Sequence, residues 1–361
     1  MSSQTTRIPW FEPVIDADDV AAVDRVVASG FVNEGPENRE FEKELCTYFD
    51  VPYAVTTPSC TMALALSVMA HGIGHGDKVL VPAITFIGTA SAVRLAGAEV
   101  VLVDVDPETF TIRLDDAASK INSSVKAIIP VHLTGRSCDM NGVNALAEKH
   151  GLAVIEDAAE ALGSRNERGW LGAQSHAGCF SLAPTKIITS GQGGFVLTRS
   201  ETIRDQLIRL RDHGRLSRSS DVHPVTGFNF KVTDMQAALA RSQWRKLDRR
   251  IKRAKEIDAR YQQGLDGCAD IACTARPESG YLMWPDFKSR HRDAIVDRLK
   301  TQNIHLRPYW PGLHMQPAYQ SGQPYPGADV ACRQACWLPC SPDITDEQID
   351  TVIAAIRNAL P

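Results

Sequence analysis

The sequence carries no strong charge of either sign: 39 Lys and Arg face 43 Asp and Glu, for a net charge of −4 at neutral pH. That balance excludes the broad basic field with which a nucleic-acid-binding chain gathers phosphates, and points instead to a small partner. There is no apolar run approaching the length of a membrane span. The opening segment MSSQTTRIPWFEPVIDADD lacks the basic start and continuous apolar core of a secretory leader. Its nine cysteines are scattered and odd in number, a poor basis for a disulfide framework, so free thiols in the cytoplasm are expected. Cys332, Cys336 and Cys340 recur at x3 spacing, which matches no zinc pattern, and CWLPC reads as a buried strand; no metal site is expected. Internal repeats and low-complexity tracts are absent.

What is present is ordinary for a globular chain, 43% hydrophobic and 23% charged over 361 residues, enough for a large unit and a smaller one. From Lys78 the short apolar runs KVLVPA, EVVLVDVD, KAIIPVHL and LAVIED alternate with the helical patterns TASAVRLAG and DMNGVNALAEKHG. This rhythm predicts a mostly parallel sheet covered by helices, with ligands at the carboxyl ends of its strands. A long helical pattern from Thr233 to Leu265 bridges into a second unit, and its mixed charges read as a solvated face. After Gly280 come a strand (YLMWPDF), a helix (HRDAIVDRLKTQN), a strand (IHLRPYW) and a last helix opened by a Thr345–Gln348 capping box. The expected division is a large α/β unit over residues 1–240 and a small α+β unit over 241–361.

Three segments carry chemistry. In CFSLAPTKIITSGQGGFVLT, Lys186 lies between two strands with Gly191, Gly193 and Gly194 beside it. Most lysines are surface charges, but one held there can lose its proton and attack an aldehyde, as imine formation with pyridoxal phosphate requires. Asp157 ends LAVIED, where a carboxylate can keep a pyridine nitrogen protonated; a plain helix N-cap is the competing reading. TTPSCTMALALSVMA, with Ser59, Cys60 and Thr61, opens a helix whose free N–H groups suit a phosphate, although many such clusters only start helices. Phe86 in VPAITFIGTA could stack on a ring or fill the core.

These and further segments resemble, in order and across nearly the whole chain, the sugar-nucleotide aminotransferases of the DegT, DnrJ and StrS group, fold type I pyridoxal-phosphate enzymes. GPENREFEKELCTYFDV, GIGHGDKVLVPAITF, AIIPVHLTGRSCDMNGV, HGLAVIEDAAEALGS, GFNFKVTDMQAALA and RPYWPGLHMQPAY carry the likeness. The resemblance implies that Lys186 forms the imine, Asp157 meets the pyridine nitrogen and Phe86 stacks on the ring, while Ser59, Cys60, Thr61 and Ser181 meet the phosphate. It implies that Asn229 reaches the phosphate of a neighbouring subunit, hence a homodimer with shared sites. Glu160 stands where many members have Gln, as in the subgroup of GDP-perosamine synthase, which implies a 4-keto sugar nucleotide as acceptor. Glutamate is the implied amino donor, with pyridoxamine phosphate as the intermediate form of the cofactor. His213, Arg307 and His314 fall in segments near the family's substrate, with Arg307 expected beside the diphosphate.

Two departures stand out: Cys60 replaces a Gly, and Gln192 replaces a Glu, of the family's turns. They leave room for a non-catalytic sensor of cofactor or sugar nucleotide. Amination at carbon 3 or of a cyclitol is a further alternative, whereas a dehydratase would carry His in place of Lys186.

Overall fold

The computed structural model describes residues 7–217, 219–277, 280–320 and 322–360. Two helices, α1 (Ala17–Ala28) and α2 (Pro36–Phe49), precede strand β1 (Tyr53–Thr57). Strand and helix then alternate through α3 (Cys60–Ala70), β2 (Lys78–Pro82), α4 (Gly88–Leu95), β3 (Glu99–Val103), α5 (Leu114–Lys120), β4 (Val125–Ile128), α6 (Met140–His150) and β5 (Ala153–Asp157). A small hairpin of β6 (Arg165–Asn166) and β7 (Gly169–Trp170) leads to β8 (Ala177–Ser181), β9 (Gly194–Thr198) and α7 (Glu201–Arg211).

Seven of these strands form one sheet in the order β1-β9-β8-β5-β4-β2-β3, with only β9 running against its neighbours. The four apolar runs from Lys78 are β2 to β5, and β8 and β9 are buried along their whole length, as strands covered on both faces must be. Because β5 and β8 are parallel, Asp157 and Ser181 end at the same sheet edge. The starts of α3 and β9 arrive there too, so that edge gathers every segment singled out for chemistry in the first half of the chain.

The pattern expected as one helix from Thr233 is two, α8 (Asp234–Trp244) and α9 (Leu247–Leu265). The break has a local cause. Lys246, at the junction, gives its ammonium to Asp16 at 2.6 Å and Asp19 at 2.8 Å, and Ser242 donates to Asp19 at 2.6 Å. These ties hold α8 on α1, while α9 turns its own buried stripe, Ala254, Ile257, Tyr261 and Leu265, elsewhere.

The second sheet has strands β10 (Ala272–Cys273), β11 (Asp286–Lys288), β12 (Arg307–Pro308) and β13 (Ala335–Trp337), in the order β10-β11-β13-β12. Helices α10 (Arg292–Lys300), α11 (Pro326–Gln334) and α12 (Asp346–Ala359) complete the region, and the capping box of α12 forms between Thr345 and Gln348. Of the expected strand YLMWPDF only the end pairs in the ladder. Tyr281, Met283 and Trp284 are drawn off by the first sheet's loops: Tyr281 Oη donates to the Leu162 carbonyl at 2.8 Å, the Met283 N–H to Thr134 at 2.8 Å, and Trp284 Nε1 to Thr185 at 3.0 Å. Helix α11, which the sequence pattern did not announce, has Pro326 in its first turn and is anchored by Asp104, which accepts from the Gly327 and Ala328 N–H groups. The N-terminal segment crosses over as well: Ile8 bridges Ile304, and the Cys340 N–H donates to the Trp10 carbonyl at 2.9 Å. Among the described residues, no helix is long and apolar enough to cross a membrane.

Candidate active site

Lys186 sits in a loop closed on itself. The Leu182 N–H reaches the Gly193 carbonyl at 2.8 Å, the Ser190 N–H reaches Leu182 at 3.0 Å, and the Lys186 N–H reaches Ala183 at 3.0 Å. The residue is 9% exposed; its Nζ lies 3.2 Å from Glu160 Oε1 and 4.5 Å from the centre of the Trp284 ring. Glu160 is fixed in turn, its Oε2 accepting the Thr134 N–H at 2.7 Å.

Asp157 is buried at the end of β5. Its Oδ2 accepts the Thr89 hydroxyl at 2.7 Å and its Oδ1 the Ala159 N–H at 3.1 Å, and Thr89 also shares a hydrogen bond of 2.9 Å with Thr85. Burial pushes the Asp157 carboxyl pKa up; the bonds from Thr89 and Ala159 oppose that, and nearby Lys186 helps them. A buried carboxylate held in this way favours a cationic hydrogen-bond partner.

Ser59 caps α3, its hydroxyl accepting the Met62 N–H at 3.3 Å. The N–H groups of Cys60 and Thr61 find no acceptor among the described residues, so the start of α3 presents two unsatisfied donors and a positive helix end. Cys60 is not among the residues with positive φ, so this turn makes no demand for glycine. Its thiol turns inward, 3.9 Å from Asp157 Oδ1, and burial raises its pKa well above the usual range, keeping it neutral. Gly194 is required by close approach: a Cβ there would lie 2.7 Å from the Cys60 nitrogen.

One cavity of about 180 Å³ takes in Ser59, Cys60, Thr61, Phe86, Asp157, Glu160, Ser181, Lys186 and Arg307. Three expected residues stand elsewhere. His213 lies exposed in a turn at φ 58°, and Asn229 is exposed on the segment bridged to Asp212. His314 is tied by Nε2 to Asp329 at 3.1 Å, beside the Tyr325 ring. The cavity also contains residues that sequence reasoning missed, chiefly Trp10, Thr85, Thr89, Trp284 and Trp310. Thr85 and Thr89 carried a signal, two hydroxyls four residues apart that flank the expected site residue Phe86 and the start of α4. Trp10 carried none, since it arrives from the far end of the chain.

The lining suits pyridoxal phosphate in each of its parts: a buried amine for the aldehyde, a buried carboxylate for the ring nitrogen, and a helix start with unsatisfied N–H groups for the phosphate. The comparisons agree with this chemistry. Residues 13–357 match the profile of the DegT/DnrJ/EryC1/StrS aminotransferase family. DesV of S. venezuelae, solved in complex with a ketimine intermediate, is 32% identical and superposes with a TM-score of 0.93 over 99% of this chain and 100% of its own. The sugar aminotransferase CalS13 of Micromonospora echinospora is 26% identical, with a TM-score of 0.92 over 98% of this chain and 100% of its own. Spr1654 of Streptococcus pneumoniae, solved in PLP and PMP forms, is 25% identical, with 98% of each chain covered and a TM-score of 0.93 for the PLP form. With a family profile matched from Pro13 to Arg357 and a relative of 32% identity aligned end to end, this chain belongs to the DegT/DnrJ/EryC1/StrS aminotransferase family.

Proposed function

We propose that this aminotransferase moves an amino group from glutamate to a keto-sugar nucleotide, a 4-keto-6-deoxyhexose as in GDP-perosamine synthase, with pyridoxal phosphate carried on Lys186. The observation that supports it most is the sharing of one cavity by the buried Lys186 amine and the buried Asp157 carboxylate, with the unsatisfied start of α3 lining the same cavity. Pyridoxal phosphate, when bound, supplies a ring that stores the electron pair left when the nitrogen-bearing carbon loses its proton.

The protein's own groups do the rest. Asp157 holds the ring nitrogen protonated, with Thr89 fixing the carboxylate. The Cys60 and Thr61 N–H groups and the Ser181 hydroxyl hold the phosphate, and Phe86, 53% exposed in the single chain, covers the ring. Lys186 Nζ takes the proton from the donor carbon and returns it to the neighbouring one, base and then acid. Glu160, 3.2 Å away, stabilises the ammonium stage of that cycle and faces the substrate.

In this reading two copies complete each site in the cytoplasm. Asn229 reaches the partner's phosphate, and His213 travels with it, because the His213 N–H bonds the Phe228 carbonyl beside Asn229 at 2.8 Å. The division into residues 1–240 and 241–361 puts the cavity at the seam, with Arg307 and Trp310 coming from the smaller unit. His314 acts from behind, steadying the segment that carries Trp310.

Purified protein reconstituted with pyridoxal phosphate is expected to absorb near the visible edge, and glutamate to bleach that band; amine-form enzyme offered a panel of keto-sugar nucleotides is expected to aminate a 4-keto sugar, read by product mass. A band untouched by any amino donor would defeat the transamination reading. Amination of 3-keto sugars or cyclitol ketones alone would defeat the 4-keto assignment.

A further inference from the structure

Arg307 is the second cation of the cavity, and it is held differently from the first. Lys186 has Glu160 for a partner, whereas the Arg307 side chain has no carboxylate or hydrogen-bond acceptor among the described residues. It lies instead on aromatic faces, with Cζ 4.6 Å from the centre of the Trp10 ring and 6.0 Å from that of Trp337. Those rings are fixed in a tryptophan cluster: Trp10 packs edge-on to Trp284 at 5.2 Å, and Trp310 edge-on to Trp337 at 4.7 Å. A guanidinium stacked on a rigid aromatic platform keeps its charge and presents its planar donor fork with little freedom left to lose.

Glu160 acts on the Arg307 charge electrostatically but forms no ion pair with it, its oxygens being engaged by Lys186 and by the Thr134 N–H. The indole N–H groups of Trp10, Trp310 and Trp337 are buried without an acceptor among the described residues. Such a place is built for a planar anion brought by the substrate.

Transamination from glutamate offers the diphosphate of the acceptor and the α- and γ-carboxylates of the donor, and their distance from the reacting carbon separates them. In a 4-keto sugar nucleotide the diphosphate hangs from carbon 1, across the ring from the reacting carbon 4. In an amino acid the α-carboxylate is bonded to the reacting carbon itself. A cation that shares one small cavity with Lys186 is therefore placed for the group next to the reacting carbon. We infer that Arg307, on its tryptophan platform, binds the α-carboxylate of the amino donor rather than the nucleotide diphosphate, an assignment that rests on the transamination reading above.

The test separates the two half-reactions of the holoenzyme and adds a binding measurement. Arg307→Met is expected to lower kcat/KM for bleaching by glutamate roughly thirtyfold or more, and to change amine-form turnover of the keto-sugar nucleotide less than about threefold. Arg307→Lys should restore part of the glutamate step, because charge returns without the planar fork. By calorimetry, glutarate, a dicarboxylate with no amine to transfer, should bind the wild-type holoenzyme and lose that affinity in Arg307→Met; this holds whether or not any sugar acceptor has been found. A keto-sugar step that falls as far as the glutamate step would overturn the inference in favour of the diphosphate, and glutarate binding unchanged in the folded variants would overturn it outright. A wild-type enzyme that binds glutarate through Arg307 yet is bleached by no amino donor would instead count against the transamination reading.

Discussion

Burial raises the carboxyl pKa of Asp157 in spite of the hydrogen bonds from Thr89 and Ala159, so in the cofactor-free chain the ionised form is held at a cost. The sign of its pH effect follows. The folded state keeps this proton to higher pH than the unfolded state, so stability falls as pH rises from the ordinary value of 3.8 through the raised one, and stays lower above it. Asp157→Asn keeps the shape, with one amide atom accepting from Ala159 and the other donating to Thr89. It should therefore raise the apo-protein Tm at pH 8 by roughly 2 °C, while weakening the holoenzyme. Scanning calorimetry of both apo-proteins from pH 4 to 8 checks this; an Asn variant less stable at pH 8 would contradict it. Lys186 and Asp157 were both legible in the sequence because each ends or follows a strand in an alternating α/β pattern. Thr89 was not read: its spacing from Thr85 is a faint local signal, and its role comes from a hydrogen bond to Asp157 across 68 positions of sequence.

At the scale of elements, the start of α3 and the turn into β9 act together. The Gly194 position leaves no room for a side chain, because a Cβ would meet the Cys60 nitrogen at 2.7 Å, whereas at Gly191, φ 79°, a Cβ would meet nothing within 4 Å. Gly194→Ala is expected to displace the helix start and weaken pyridoxal phosphate binding by about tenfold or more, the loss of one charge-assisted hydrogen bond. Gly191→Ala should leave that affinity unchanged and cost about 1 kcal/mol in left-handed backbone strain. Absorbance titration and denaturant melts distinguish the two, and equal affinities in the two variants would contradict the role given to α3. The alternating strands β2 to β5 were readable because their apolar runs are continuous. The break between α8 and α9 was not, because Lys246 looks like any other base on a helical stripe until Asp16 and Asp19 are seen to hold it.

At the scale of the whole molecule, the cavity draws residues from near the N-terminus, from the first sheet's edge and from the C-terminal region. That convergence explains why Trp10 and Trp284 escaped a reading along the chain: no local pattern pairs positions so far apart. It also bears on assembly. If Asn229 of one copy serves the cavity of the other, mixed chains of Lys186→Ala and Asn229→Asp will contain one site with both residues intact. Refolding an equal mixture should recover about a quarter of wild-type activity, since half of randomly assorted dimers are mixed and each of those has one good site of two. Activity no higher than the sum of the separate variants would contradict shared sites.

The central claim is that Lys186 carries the cofactor. Borohydride reduction of the holoenzyme followed by peptide mass mapping tests it most directly: the account predicts the phosphopyridoxyl mass on the peptide containing Lys186, and its absence in Lys186→Ala. The mass on another lysine of the wild-type chain, with Lys186 unmodified, would contradict it.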